Sequence, residues 1–158
     1  MLKSLTEIVL CLLMSGAALA EVASVRMDQL ETIDYEPTTQ ADDFTGDLEV
    51  PKMNPLPEWF AKLNGKPISI HGFMYPLDFE DGLTREFLYL PFDLTCHFGD
   101  FPQIDEFLHV FVEGDGYRPE LHLPSKLTGI LEIKETWEGG IPVGLLYLKA
   151  TSVDYTGW

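Results

Sequence analysis

Cysteine, basic residues and long apolar runs are scarce in this sequence, and each scarcity excludes a class of protein. The 158 residues include two cysteines, and 10 basic residues face 26 acidic ones, so the formal net charge is −16. That balance repels phosphate backbones and anionic headgroups, which excludes nucleic-acid binding. No apolar run approaches the roughly 20 residues that span a bilayer. A C-x-x-C pair, a phosphate loop, a dinucleotide fingerprint and a G-x-S-x-G motif are also absent from the sequence.

The first twenty residues have the layout of a secretory signal. Lys3 precedes an apolar core over residues 8–14, and residues 18–20 form an A-x-A cleavage site before Glu21. We therefore predict that residues 1–20 are a signal peptide and that the protein is periplasmic or secreted.

The same segment contains Cys11, which raises the alternative of a lipoprotein. The bulky Leu10 stands before Cys11, where a lipid-attachment box has a small residue, so cleavage after Ala20 is favoured. Cleavage would remove Cys11 and leave Cys96 without a partner for an intramolecular disulfide. A single leftover cysteine in an exported protein needs a separate explanation.

The region that follows, residues 21–57, reads as an acidic tether. It has nine acidic residues against Arg26 and Lys52, four prolines and no sustained period of 2 or 3.6. We predict an extended segment, in which residues 25–33 could form a short helix on a partner.

The pattern of a folded domain begins at Glu58 and continues to residue 158. A short helix is predicted from Glu58, with Trp59 and Leu63 on one face and Asn64-Gly65 as its end. Turn residues then separate segments with strand patterns: ISIHGFMY, REFLYLPF, EFLHVFVE, ELHL, LTGILEIKE and PVGLLYLKATSVDY.

Five or six short strands with one helix predict a mainly β domain, either a barrel or a sandwich. Gly72 and Gly129 stand inside strand patterns, where a strand must bend sharply or approach another backbone. This favours a small antiparallel OB-like β-barrel over an immunoglobulin-like sandwich.

The Cys96-His97 pair is the first candidate site. Thiolate and imidazole are ligands that zinc prefers, and three or four ligands are needed. Adjacent strand residues point to opposite faces, so both could bind one ion only from a loop. Further ligands would come from histidines and nearby carboxylates: His71 and His109 first, with His122, Asp100 and Asp105 as alternatives. Zinc or copper suits such ligands best.

Two other interpretations of Cys96 stay open. It can be a buried thiol beside a turn, because a lone buried cysteine is common. It can also be a catalytic thiol, but His97 is too close in the chain to face the sulfur, so another histidine would have to act as the base.

His71 and His109 also define a candidate binding surface, since each lies among aromatic residues on a predicted strand. If the two strands are neighbours, these side chains form an aromatic and histidine face on the outside of the barrel, which would be a binding patch. We expect the helix from Glu58 to cover this face.

The acidic cluster Asp78, Glu80 and Asp81 could bind calcium. It lacks the alternating order of a known calcium loop, so a solvated hairpin turn is favoured.

Three stretches together resemble an uncharacterised exported bacterial family, domain of unknown function 3299. They are NGKPISIHGFMYPL, EFLYLPFDLTCHFGDFPQIDEFLHVFV and LTGILEI with GLLYLKATSVDY, and the resemblance covers residues 59–155. Its most specific element is the turn with Cys96, Phe98, Gly99, Pro102, Gln103 and Ile104, which implies structural roles for Gly99 and Pro102. The resemblance implies one of two patterns in many relatives: two adjacent cysteines, or a cysteine with a histidine two places on and a proline-rich run. This chain has His97 in place of the second cysteine, a change that keeps metal-ligand character and removes a vicinal disulfide.

These observations predict an exported, non-catalytic binding or accessory module with a transition metal near Cys96-His97. The alternative is a scaffold or partner-binding domain of an envelope complex, in which Cys96 is purely structural and the aromatic face or the acidic segment docks.

Overall fold

The computed structural model describes residues 21–30, 32–33, 56–94 and 102–155, and over these residues the protein is mainly β. It has one mixed sheet and two short helices. In chain order the elements are β1 (Ala23–Val25), α1 (Met27–Leu30), α2 (Glu58–Ala61), β2 (Pro67–Pro76), β3 (Glu86–Leu90), β4 (Leu108–Val112), β5 (Ser125–Glu138) and β6 (Ile141–Asp154). Within this described part, no helix combines the length and apolar character needed to cross a membrane.

Five of the strands form a closed ring of hydrogen-bonded pairs. The order is β2-β3-β4-β6-β5, and β5 pairs with β2 to close the ring. Strand β1 is not part of the ring and pairs with β2. The prediction of an antiparallel sheet is wrong for two strand pairs. Strand β1 is parallel to β2, and β4 is parallel to β6. These two parallel pairs make the sheet mixed.

The ring closes because β2 changes partner at Gly72. Residues 67–72 pair with β5, and residues 73–76 pair with β3. A Cβ at Gly72 would overlap the carbonyl oxygen of Leu90 and lie 3.0 Å from a carbon of Tyr89. Gly129 lies at a register shift between β5 and β6, and a Cβ there would overlap the carbonyl oxygen of Lys149. Both glycines therefore stand where two backbones come closer than a side chain permits.

Alternation along the strands puts the core inside the ring. Ile68, Ile70 and Met74 are buried from β2, and Leu108 and Val110 are buried from β4, as their period of 2 predicts. The intervening side chains of both strands point outward and are more exposed, except Ser69.

Two predicted turns are confirmed, and each is a two-residue hairpin. Asp81 and Gly82 both have positive φ between the bridged residues Glu80 and Leu83. Gly139 and Gly140 likewise have positive φ and join β5 to β6. Positive φ at both central residues is the requirement of a type I′ turn, which matches the twist of the flanking strands.

The predicted ELHL strand is wrong. His122 has a φ of 67°, which is left-handed, and Leu121 and Leu123 on either side of it are more than half exposed. Pro119 and Pro124 flank the segment, and neither can donate a ladder hydrogen bond. The segment is therefore a turn that leads into β5.

The first residues of the predicted acidic tether pack against the sheet. Val25 is buried on β1, and Met27, Leu30 and Ile33 are buried in the same core cluster as the ring strands. The short helix predicted within residues 25–33 exists as α1, but it packs against the protein's own β2. The remaining tether residues 34–55 and the predicted signal peptide lie outside the described residues, so the predicted domain boundaries stay predictions.

Helix α2 presents a different residue to the core than its sequence suggests. Phe60 is fully buried, and Trp59 is 41% exposed. The helix is only four residues long, so the expected i, i+4 face formed by Trp59 and Leu63 does not develop. Leu63 reaches the edge of the core from the turn that follows.

Candidate functional site

The Cys96-His97 pair and Gly99 lie within residues 95–101, outside the described residues. The structure describes the chain up to Leu94 and again from Pro102, whose side chain is buried. The predicted metal site can therefore be compared with the structure only through its histidines.

The geometry of the sheet separates the two predicted histidine ligands. His109 pairs with Leu88, which pairs with Tyr75, so His71 lies four residues along β2 and two strands across from His109. From the rise per strand residue and the spacing between strands, His71 and His109 are about 13 Å apart along the strand direction and about 10 Å apart across the sheet. Outward side chains on a closed ring diverge, and two ligands of one zinc ion must both lie about 2 Å from it. His71 and His109 therefore do not ligate the same ion.

Other combinations of ligands are not brought together among the described residues either. Among the described residues, no group of three or more histidine, cysteine, aspartate or glutamate side chains is placed to hold a metal ion. The alternative ligand Asp105 is buried, and Asp100 lies outside the described residues.

His122, the other alternative ligand, contacts Asp93. Its Nδ1 lies 2.8 Å from an Asp93 carboxylate oxygen. Asp93 follows β3 and stands three residues before Cys96 in the chain. The Tyr155 hydroxyl anchors the preceding segment, because it donates to the Arg118 carbonyl at 3.1 Å and accepts from the Glu120 amide at 3.2 Å. A carboxylate on one ring nitrogen is the arrangement that orients a metal-binding histidine.

A second candidate site is a set of exposed apolar side chains on the outside of the ring. Register pairs place Tyr75, Leu88 and His109 side by side across β2, β3 and β4. We use the term outer face for the outward side chains of this part of the ring and the exposed apolar residues of the hairpin that continues β2. They are Tyr75, Leu88, His109 and Phe111 on the strands, and Leu77 and Phe79 on the hairpin. Tyr75, Leu77, Phe79 and Phe111 are 45%, 47%, 67% and 42% exposed.

Ring stacking and a carboxylate contact surround His109 at the centre of the outer face. The His109 ring stacks on Phe111 with centroids 4.6 Å apart and on Tyr147 with centroids 5.6 Å apart. Its Nε2 lies 2.8 Å from a carboxylate oxygen of Glu86. The Lys134 ammonium lies 4.7 Å from the Tyr147 ring centroid. His109 is thus fixed by two rings and a carboxylate, and it supports the exposed Phe111.

The prediction that α2 covers this face is wrong. Phe60 enters the core, and the turn after the helix binds β5, where the Gly65 amide donates to the Leu131 carbonyl at 2.7 Å. The Ile133 amide also donates to Asn64 Oδ1 at 2.9 Å. These contacts hold the helix and its turn at β5. The two histidine strands are not neighbours, because β3 lies between β2 and β4.

The Asp78 cluster forms a hairpin, as the favoured interpretation predicts. One Asp78 carboxylate oxygen accepts hydrogen bonds from the Thr84 hydroxyl at 2.7 Å and from the amides of Arg85 and Glu86 at 2.9 and 2.8 Å. These bonds, that of Thr84 foremost, hold the pKa of Asp78 below its usual value. Glu80 pairs with the Arg85 guanidinium. The hairpin extends β2 and β3 and carries Phe79.

The sequence reasoning missed a polar contact inside the ring. The buried Tyr89 hydroxyl donates to the Ser125 carbonyl at 2.5 Å, so it joins β3 to the start of β5. Burial raises the pKa of Tyr89 far above its usual value, so the hydroxyl stays protonated. A tyrosine among the buried apolar residues of β3 is the sequence signal for it, and this contact is structural.

Comparison with known proteins identifies the family and the fold. A crystal structure of a DUF3299 family protein from Pseudomonas aeruginosa PAO1 is similar to this chain with a TM-score of 0.60 and 18% sequence identity. The similarity covers 87% of this chain and 98% of that chain. No curated protein matches the sequence. The family described as "Protein of unknown function (DUF3299)" matches residues 21–151. The chain therefore belongs to the DUF3299 family.

Proposed function

We propose that the protein is an exported, non-catalytic module that binds another protein through its outer face. The observation that carries the proposal is the exposure of four large apolar side chains on this face. Helix α2 does not cover them, because its turn binds β5. Contiguous exposed apolar surface on a small soluble domain commonly marks an interaction site.

The contacts that order Phe111 on the outer face support a binding role. Phe111 is held on the His109 ring, which is itself held by Tyr147 and Glu86. An aromatic side chain that is already ordered loses little conformational entropy on binding, so more of its contact energy contributes to affinity. The same contacts make His109 part of the surface, which favours a binding role for it over that of a base for a thiol.

We also propose that the ring is an OB-like barrel. Its strands β5, β2, β3 and β4 have the Greek-key order in which the fourth strand lies beside the first. OB folds bind ligands on their second and third strands and on the loop between the first two. The corresponding parts here are β3, β4 and the hairpin that carries Phe79, so the outer face coincides with that surface. This support is an analogy of fold.

Photo-cross-linking in living cells tests the proposed function. A benzoylphenylalanine replaces Phe79 or Phe111 in the full chain, and the control replaces Trp59, which has nearly the same exposure as Phe111 but lies on α2. We expect one discrete cross-linked protein, identified by mass spectrometry, from both face positions and none from the control. Equal cross-linking at all three positions, or none at the face, would contradict the proposal.

A second candidate function is metal handling near Cys96-His97, with zinc or copper as the ion. The observation in its favour is the Asp93–His122 pair, which stands close in the chain to Cys96 and has the hydrogen bond of an oriented metal ligand. Thiolate and imidazole ligands suit these ions.

Metal content of the untagged protein tests this candidate. We expect near-stoichiometric zinc or copper that is lost in Cys96→Ser, His97→Ala and His122→Ala. His109→Ala is the control, because its Nε2 already contacts Glu86 on the outer face. A protein that takes up no added metal, or that keeps its metal in Cys96→Ser, would overturn the candidate.

A further inference from the structure

The outer face has a strongly acidic rim. The Phe79 hairpin and the turn after β4 are joined, because Thr84 and Tyr117 exchange two backbone hydrogen bonds of 2.9 Å and Arg85 Nε donates to the Gly114 carbonyl at 3.0 Å. We define the acidic rim as the charged residues of 78–86 and 113–117 together with Lys149, which pairs with Glu113. It contains six carboxylates and two cations: Asp78, Glu80, Asp81, Glu86, Glu113 and Asp115, with Arg85 and Lys149.

Both cations of the rim are already paired. Arg85 forms an ion pair with Glu80 at 3.2 Å, and Lys149 forms one with Glu113. The formal charge of the rim is therefore −4, and it is carried by side chains that these two cations do not neutralise. This local charge has the same sign as the net charge of the whole chain.

The acidic rim and apolar centre together determine which kind of partner fits. We infer that the outer face docks a basic amphipathic segment of another protein, with apolar side chains on Phe79 and Phe111 and lysine or arginine side chains at the rim. This inference rests on the proposed function and adds the chemistry of the partner. Complementary charge raises the association rate and selects among partners, while buried aromatic contacts supply most of the affinity.

Other occupants fit the charges poorly. In a symmetric dimer through this face, the same patch meets itself, so two rims of like charge would be brought together. Anionic lipid headgroups would face the same repulsion, which screening by salt only reduces. Of these occupants, a basic amphipathic segment makes favourable contacts with both the acidic rim and the apolar centre.

Direct binding to defined peptides tests the inference. The probe is a fluorescein-labelled 18-residue helical peptide of lysine and leucine, and its counterpart has glutamate in place of every lysine. Anisotropy titrations with the full chain are run at low and high salt. We expect the lysine peptide to bind at least about tenfold more tightly than the glutamate peptide and to weaken with salt.

Variants with equal change of charge separate docking at the face from general attraction to an acidic protein. One variant combines Glu80→Gln, Asp81→Asn and Asp115→Asn at the rim. The matched control combines Glu21→Gln, Asp28→Asn and Glu58→Gln, at exposed positions on or beside β1, α1 and α2. We expect about fivefold weaker binding for the rim variant and little change for the control. We expect about tenfold weaker binding for Phe79→Ser with Phe111→Ser.

Three outcomes would overturn the inference: equal losses in the rim variant and the control, equal binding of the two peptides, or self-association that Phe79→Ser with Phe111→Ser abolishes. The cross-linking experiment distinguishes this failure from failure of the proposed function. A partner that cross-links at Phe79 through a segment without basic residues would remove the inference and leave the proposed function in place. Absence of cross-links at the face would remove both.

Discussion

Replacing Gly72 with alanine tests how the ring closes, because this residue stands where β2 leaves β5 and joins β3. The new Cβ would overlap the carbonyl oxygen of Leu90 and lie 3.0 Å from both the Met27 Cε and a ring carbon of Tyr89. The Leu90 oxygen belongs to the backbone of a paired strand, so it cannot move aside without moving β3. Over-packing of this kind costs about 1–3 kcal/mol, and we expect Gly72→Ala to lie at about 3 kcal/mol.

Gly65→Ala is the matched control for this prediction. Gly65 has a φ of 74° and no atom within 4 Å of its would-be Cβ, so its substitution measures backbone strain without a clash. Strain alone costs about 1–2 kcal/mol. Urea unfolding followed by tryptophan fluorescence measures the free energy of unfolding of each variant. If Gly72→Ala costs no more than Gly65→Ala, the close approach of β2 and β3 is refuted.

Three further predictions concern hydrogen bonding, pH and processing. Tyr89→Phe removes the donor to the buried Ser125 carbonyl, and we expect it to reduce the free energy of unfolding by about 1–2 kcal/mol in urea titrations; an unchanged midpoint would contradict the contact. Asp78 has a lowered pKa in the folded state, so it contributes stability at neutral pH that is lost as the pH falls below 3.8 towards that lowered pKa. The difference in melting temperature between the protein and Asp78→Asn should therefore shrink on acidification, and a constant difference would contradict the assigned hydrogen bonds. Export predicts that mass spectrometry of the protein recovered from cells finds Glu21 as its first residue, and an intact Met1 would contradict it.

Local patterns predicted much of the fold. The period of 2 in ISIHGFMY and EFLHVFV placed Ile70 and Val110 in the core, because successive strand residues face opposite sides. Asp81-Gly82 and Gly139-Gly140 predicted turns, because a type I′ hairpin requires positive φ at two positions. The stretches around Cys96 also indicated the family that the comparisons show.

Predictions that depended on which elements meet were less successful. The period of a strand does not state its partner. The sequence therefore left open whether the His71 and His109 strands are neighbours, and the predicted purely antiparallel sheet was wrong. ELHL has strand-like composition, but flanking prolines and a left-handed His122 make it a turn. The acidic composition of residues 21–57 gave no sign of the short apolar set around Val25 and Leu30, which is buried in the core cluster through contacts of β1 and α1 with β2.

By itself, the sequence determined the alternating strands, the glycine turns, the acidic charge and the family, because each depends on residues close together in the chain or on composition. Only the tertiary structure decided that His71 and His109 are separated and that Asp93 meets His122. It also decided that α2 binds β5 and leaves the outer face exposed. Those outcomes depend on strand register and on where the ring closes, and contacts between distant parts of the chain set both.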